Sequence, residues 1–155
     1  MKLEELKVKK ISNEHRHFVE DIVNKTQDFS EKDKKTCLNV FDGIEKGEYE
    51  GLGVFKGEKL TGFILFTENS LADSVIELLW IAVDPDFYGK GVAQILWDEF
   101  FKEVKKRNAR LIVLETQPRH KRARAFYRKI GFEKEAEIRD FYAEGEPKEI
   151  WVKRI

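Results

Sequence analysis

The stretch from Val75 to Leu96, VIELLWIAVDPDFYGKGVAQIL, restricts the fold more than any other part of the chain. Its apolar run from Leu78 to Val83 leaves no polar face for water, so the strand it forms must be covered on both sides. Asp84-Pro85 stops that strand. From Val92 an apolar residue returns every four positions, at Leu96, Phe100 and Val104. Ile95 and Phe101 widen this stripe into the buried face of a long helix. Between strand and helix stand Gly89, Lys90 and Gly91. A doubly covered strand that feeds a helix through a glycine turn belongs to a layered α/β architecture.

The flanking segments supply the layers. Leu6 and Val8 alternate with lysines as a short strand with one wet face. Ser12 or Asn13 caps a helix whose inner stripe is Phe18, Val19, Ile22 and Val23. Ser30, with Asp33 three residues on, starts a second helix that buries Cys37, Leu38, Phe41 and Ile44 and ends at Gly47. Residues 51–66, GLGVFKGEKLTGFILF, read as a hairpin turning at Lys56-Gly57-Glu58. LIVL at 111–114 is another buried strand, ended by Pro118. A short helix from Lys121 to Ile130 closes at Gly131, a residue suited to a left-handed C′ position. Two strands, 133–141 and 149–155, follow with Gly145-Glu146-Pro147 between them. With no linker, repeat or low-complexity segment, residues 1–155 are expected to form a single domain.

Composition narrows the function classes. Twenty-nine basic residues balance twenty-nine acidic ones, so no overall field favours nucleic acid or a membrane surface. Cys37 is the single cysteine, which excludes an internal disulfide and suits a reducing compartment. The three histidines are scattered, so no metal site is expected. MKLEELKVKK is too charged for a signal peptide, and no apolar run reaches membrane-spanning length. The expectation is a cytoplasmic protein.

A helix N-terminus exposes unpaired N–H groups and can hold phosphate, and Gly89 and Gly91 remove side chains that would stand in the way. The same glycines also suit a plain tight turn. Two familiar phosphate loops do not fit. The Walker pattern requires glycine at 84 and Ser or Thr at 91, where Asp84 and Gly91 stand. The dinucleotide fingerprint requires glycine at 94, which is Gln94.

The stretch Tyr88-Gly89-Lys90-Gly91-Val92-Ala93 instead resembles the coenzyme A turn of the GNAT N-acetyltransferases. That signature reads Gln or Arg, two residues, Gly, one residue, then Gly or Ala. Gly91 and Ala93 match it, and Tyr88 replaces the Gln or Arg. Downstream, the family's Asn, Ala and Phe-Tyr, followed by Gly-Phe, correspond to His120, Ala123, Phe126-Tyr127 and Gly131-Phe132, with His120 in place of the Asn. The resemblance spans nearly the whole chain and is most specific over 75–132. It implies a mixed, mostly antiparallel sheet of about seven strands flanked by four helices, with its central parallel strands splayed.

The resemblance also implies acetyl-CoA as cosubstrate, an amine as acceptor, and direct attack in a ternary complex. It is compatible with a homodimer. Backbone groups of Ile81 and Val83, flanking Ala82, would pair with the pantetheine arm, as an added strand does. Tyr127 would protonate the departing thiolate, or else pack the short helix as Phe126 does. Glu77, the one charge in an apolar strand, would take the amine proton, or else face solvent or pair with a lysine. The acid-free run holding Arg119, Lys121, Arg122, Arg124, Arg128 and Lys129 would in part attract the phosphates of coenzyme A, or else form a solvated helix face. An acyl-CoA-binding module without turnover is the alternative, and an RNA-binding domain a third reading that lacks a stacking platform.

Overall fold

A computed structural model describes residues 5–155. Along the chain run β1 (Leu6–Lys10), α1 (Arg16–Lys25), α2 (Glu31–Asp42), β2 (Glu50–Lys56), β3 (Lys59–Glu68) and β4 (Val75–Val83). Then come α3 (Val92–Lys106), β5 (Leu111–Thr116), α4 (Lys121–Lys129), β6 (Glu133–Ala143) and β7 (Glu146–Arg154). The strands form one seven-stranded sheet in the order β1-β2-β3-β4-β5-β7-β6. Only β4 and β5 pair in parallel; every other neighbour is antiparallel.

The side-chain alternation of β3 shows how the sheet organises the core. Ile64 and Phe66 join the cluster that holds Val92, Leu96, Phe100 and Val104 of α3. Phe63 and Leu65 point the other way, into the cluster of Val19, Ile22 and Val23 from α1 with Cys37 and Phe41 from α2. Period two along the strand therefore divides the core into two layers, one on each face. Leu78, Ile112 and Leu114 lie with α3, but the expected cover on both faces does not extend along the whole run: Leu79, Trp80, Ile81 and Val83 are only half-buried, because β4 and β5 stop pairing at Leu78.

Four boundaries differ from the sequence expectation. Ser12 caps a single 3₁₀ turn, Asn13–His15, and α1 begins only at Arg16. α2 ends at Asp42 rather than Gly47: the Gly43 and Ile44 N–H groups bond back three residues, to Val40 and Phe41, which tightens the coil and ends it. Gly47, at φ 75°, ends the turn beyond. β6 and β7 reach to Ala143 and Glu146, so the connection is Glu144-Gly145 rather than 145–147. Asp140 makes that tight connection feasible, since its carboxylate accepts from the Gly145 N–H at 2.7 Å while its own φ is 55°.

Candidate active site

Parallel pairing between β4 and β5 runs only from Val75–Leu111 to Leu78–Leu114, although both strands continue. Leu79 causes part of this parting. Leu65 of β3 faces Trp80 and Phe66 faces Leu78, so Leu79 is an extra residue, a bulge that bends β4. Beyond it the Asp84 N–H donates to Thr61 O on the β3 side at 2.8 Å. Antiparallel alternation then turns Trp80 and Ala82 toward β3 as well, and directs the N–H and C=O of Ile81 and Val83 into the gap.

The gap opens into a cleft of about 1620 Å³. Glu77, Ile81, Ala82 and Val83 border it from β4. Tyr88, Gly89, Gly91, Val92 and Ala93 border it from the turn, and His120, Ala123, Phe126 and Tyr127 from the α4 side. Lys90 stands outside this wall, its ammonium 5.3 Å from the centroid of the Phe87 ring.

Gly89 and Gly91 adopt φ 75° and 79°. A Cβ built on either would meet no atom within 4 Å, so backbone conformation alone demands glycine, and the space before the turn is open. Gly91 is the N-cap of α3, and the first N–H to bond back to it is that of Ile95, at 3.0 Å. The N–H groups of Val92, Ala93 and Gln94 therefore lack intrahelical acceptors at the positive end of a fifteen-residue helix, and all three residues border the cleft. Asp84 anchors the turn. Its fully buried carboxylate accepts from the Asp86 N–H at 2.9 Å and from Lys25 Nζ at 3.0 Å. That hydrogen bond raises the Lys25 ammonium above its ordinary pKa despite partial burial.

α4 ends in a Schellman motif that fixes Tyr127. The Phe132 N–H bonds to Tyr127 O at 2.9 Å and the Gly131 N–H to Arg128 O at 3.1 Å, with Gly131 at φ 98°. The two rings of this motif, Tyr127 and Phe132, lie 5.8 Å apart. Tyr127 is 6% exposed, and burial raises its phenol above the ordinary value, so it is protonated at neutral pH. Arg124 ties α4 to β7 by two hydrogen bonds, of 2.9 and 3.1 Å, to the buried carboxylate of Glu149. At the start of α4, the Arg122 guanidinium lies 3.9 Å from the Tyr88 ring centroid.

The far end of the cleft lies under the α1–α2 loop. Asp33 sits 8% exposed and accepts from the Ser30 N–H, from Arg119 and from the His120 ring, the last at 3.3 Å. Burial pushes its carboxyl up, but these three partners outweigh burial and hold it below its ordinary value. Burial also keeps the His120 ring below its ordinary value, against the attraction of Asp33. Arg119 donates to Asp28 O at 2.8 Å, which pins the loop to the segment after β5. Phe29, carried by that loop, meets Trp80 edge-on at 5.6 Å. Tyr142 and Glu146 approach from the last hairpin.

Sequence reasoning missed Phe29, Trp80 and the Asp33–Arg119 pair as parts of this cleft. Asp33 reads as a helix cap, which it is, and Trp80 disappears into an apolar run. The tryptophan was the available signal, because its indole N–H rarely goes unpartnered in a core.

Comparison with known proteins agrees with this geometry. Residues 14–132 match the model of the acetyltransferase (GNAT) family. An uncharacterized N-acetyltransferase of Methanocaldococcus jannaschii is 30% identical over 113 residues, covering 70% of this chain and 50% of that protein. The chain thus spans about half the length of this curated relative. Among solved structures, a GNAT-family protein from Desulfovibrio desulfuricans superposes with a TM-score of 0.88 at 21% identity, covering 96% of this chain and 98% of that one. The PaiA N-acetyltransferase of Thermoplasma acidophilum, solved with coenzyme A, gives 0.74 at 21% identity over 97% and 99%. At these identities the superpositions show a shared fold.

Proposed function

The chain belongs to the acetyltransferase (GNAT) family, and from that premise we propose that it transfers an acetyl group from acetyl-CoA to a primary amine. The observation that carries this reading is the parting of β4 from β5 beside the N-terminus of α3. Coenzyme A has a peptide-like arm and a diphosphate, and the cleft offers one feature for each. Ile81 and Val83 present free backbone groups to an arm lying as an added strand. The open glycine turn and the unpaired N–H groups of α3 suit the diphosphate.

When bound, the cosubstrate supplies an activated acyl thioester. The protein's own groups do the rest. A backbone N–H of the free β4 stretch polarises the acyl carbonyl and stabilises charge developing on its oxygen. Tyr127 Oη, protonated at neutral pH as any phenol is, donates its proton to the departing sulfur, a role that its fixed ring supports. Glu77, half-buried at the cleft edge, takes a proton from the amine, directly or through water. The acceptor enters under the α1–α2 loop, between Phe29, Trp80 and Tyr142.

A screen of amines with acetyl-CoA, following thiol release, tests the reading, with coenzyme A binding measured by calorimetry in parallel. Transfer to at least one class of amine is expected. Tight binding without transfer to any amine would favour an acyl-CoA-binding module. No binding would overturn the assignment of the cleft.

A further inference from the structure

Tyr88 and Arg122 come from opposite walls of the cleft. Tyr88 directly precedes the glycine turn, and Arg122 lies in the first turn of α4. The guanidinium carbon sits 3.9 Å from the tyrosine ring centroid, well inside cation–π range. The arginines on either side of it are neutralised by carboxylates: Arg119 by Asp33 and Arg124 by Glu149. Among the described residues Arg122 has no such partner; the aromatic face is its contact.

This difference matters chemically. A carboxylate would occupy the N–H edge of the guanidinium and cancel its charge. An aromatic ring under the guanidinium carbon does not cancel its charge, and among the described residues no acceptor takes the N–H groups of Arg122. The contact therefore holds the fork without using it. The edge it leaves free borders the same cleft as the N–H groups of Val92, Ala93 and Gln94, so two anion-seeking features share one space. Lys121 and Lys129 border the cleft too, but as flexible point charges with no platform.

We propose that Arg122, held on the ring of Tyr88, is a diphosphate ligand for the cosubstrate, and that Tyr88 is its positioning residue. The proposal rests on reading the cleft as a coenzyme A site. It also explains how the turn works with tyrosine where the resembling signature has Gln or Arg: the side-chain donor comes from α4 and is delivered through the ring.

The test compares calorimetric affinities for coenzyme A, for dephospho-coenzyme A, which keeps the diphosphate without the 3′-phosphate and should lose as much as coenzyme A in each variant, and for S-acetylpantetheine, which lacks both anionic groups. Arg122→Ala is expected to weaken coenzyme A roughly tenfold, as loss of a charge-assisted hydrogen bond at a partly wet site does. It should reduce the preference for coenzyme A over S-acetylpantetheine by the same factor and flatten the salt dependence of coenzyme A binding. Tyr88→Phe keeps the ring and should stay within about twofold of wild type. Tyr88→Ala should weaken coenzyme A by roughly three- to fivefold, and by nothing further in an Arg122→Ala background, because the two act as one unit. Equal loss for coenzyme A and S-acetylpantetheine would make Arg122 a determinant of cleft shape and overturn the proposal. So would a smaller loss for dephospho-coenzyme A than for coenzyme A, additive losses for Tyr88→Ala and Arg122→Ala, or an unchanged affinity in Arg122→Ala. Those results leave acetyl transfer standing, whereas a wild-type protein that binds no coenzyme A overturns both.

Discussion

Replacing Gly91 separates the two things a glycine can do at this turn. Its φ of 79° costs an L side chain roughly 1–2 kcal/mol. No steric cost adds to this, because a Cβ there meets nothing within 4 Å. For a chain of this length each kcal/mol moves Tm by about 2–4 °C. Gly91→Ala should therefore lower Tm by roughly 2–8 °C, and Gly91→Asp by the smaller end of that range, since Asp tolerates left-handed backbone better and suits a helix N-terminus. Binding should respond in the opposite order. A carboxylate about 4 Å from a phosphate charge costs on the order of 4 kcal/mol at an effective dielectric constant near 20, and solvent at the open mouth reduces this to a loss of roughly 100-fold in affinity. Gly91→Ala brings no charge and should lose less than about tenfold. Thermal melts and calorimetric titration with coenzyme A read both effects on the same samples. Equal affinities for wild type and Gly91→Asp would refute the argument and leave the glycines as shapers of a turn.

Tyr127→Phe keeps the ring of the Schellman pair, so coenzyme A affinity and Tm should hardly change while single-turnover transfer slows by roughly 10²–10⁴-fold; a wild-type rate would make Tyr127 a packing residue. Asp33→Asn should destabilise the protein by about 1–3 kcal/mol at pH 7 in urea titrations, through a weakened cap and the lost partner of Arg119. Because the folded Asp33 pKa lies below the ordinary 3.8, its contribution is complete above that value and disappears as pH falls through the folded pKa, so wild type and variant should converge in acid. In the last hairpin, Glu146→Gln should raise the KM of a cationic acceptor in a salt-dependent way. Asp140→Ala should instead lower Tm and leave KM unchanged, because it removes the acceptor of the Gly145 N–H and puts a residue less suited to a φ of 55° in the turn.

The parts of the molecule that were legible in the sequence are those set by local chemistry. The strand–turn–helix at 75–106 follows from an apolar run, a proline stop and a four-residue period, and Gly131 reads as a C′ residue because few other residues accept its φ of 98°. The pairing of elements distant in the chain was not legible. Arg119 and Asp33 are 86 positions apart, and no periodicity announces that one pins the loop beside the other. Arg122 on Tyr88 is invisible for the same reason: the run of basic residues shows its charge but not which of its members lack carboxylates. The bulge at Leu79 is a mismatch between β3 and β4, and a mismatch belongs to neither strand's sequence alone.

That bulge and the parted strands have a consequence for the empty protein. An ordinary sheet has edges only at its rims, here β1 and β6, but this one has an open edge in its interior, along Leu79–Val83. Unpaired backbone in extended form is a template for any other extended chain, including a second copy of this one. The pinned α1–α2 loop narrows access to it, and the bulge bends the strand away from flatness. On the proposed reading of the cleft, the aggregation hazard and the ligand site are the same row of peptide groups. Whatever fills the cleft stabilises the folded chain by RT ln(1 + [L]/Kd) and at the same time caps this interior edge. The backbone groups of Ile81 and Val83 point into the gap rather than to β3, and hydrogen exchange at those two amides should slow when the cleft is occupied.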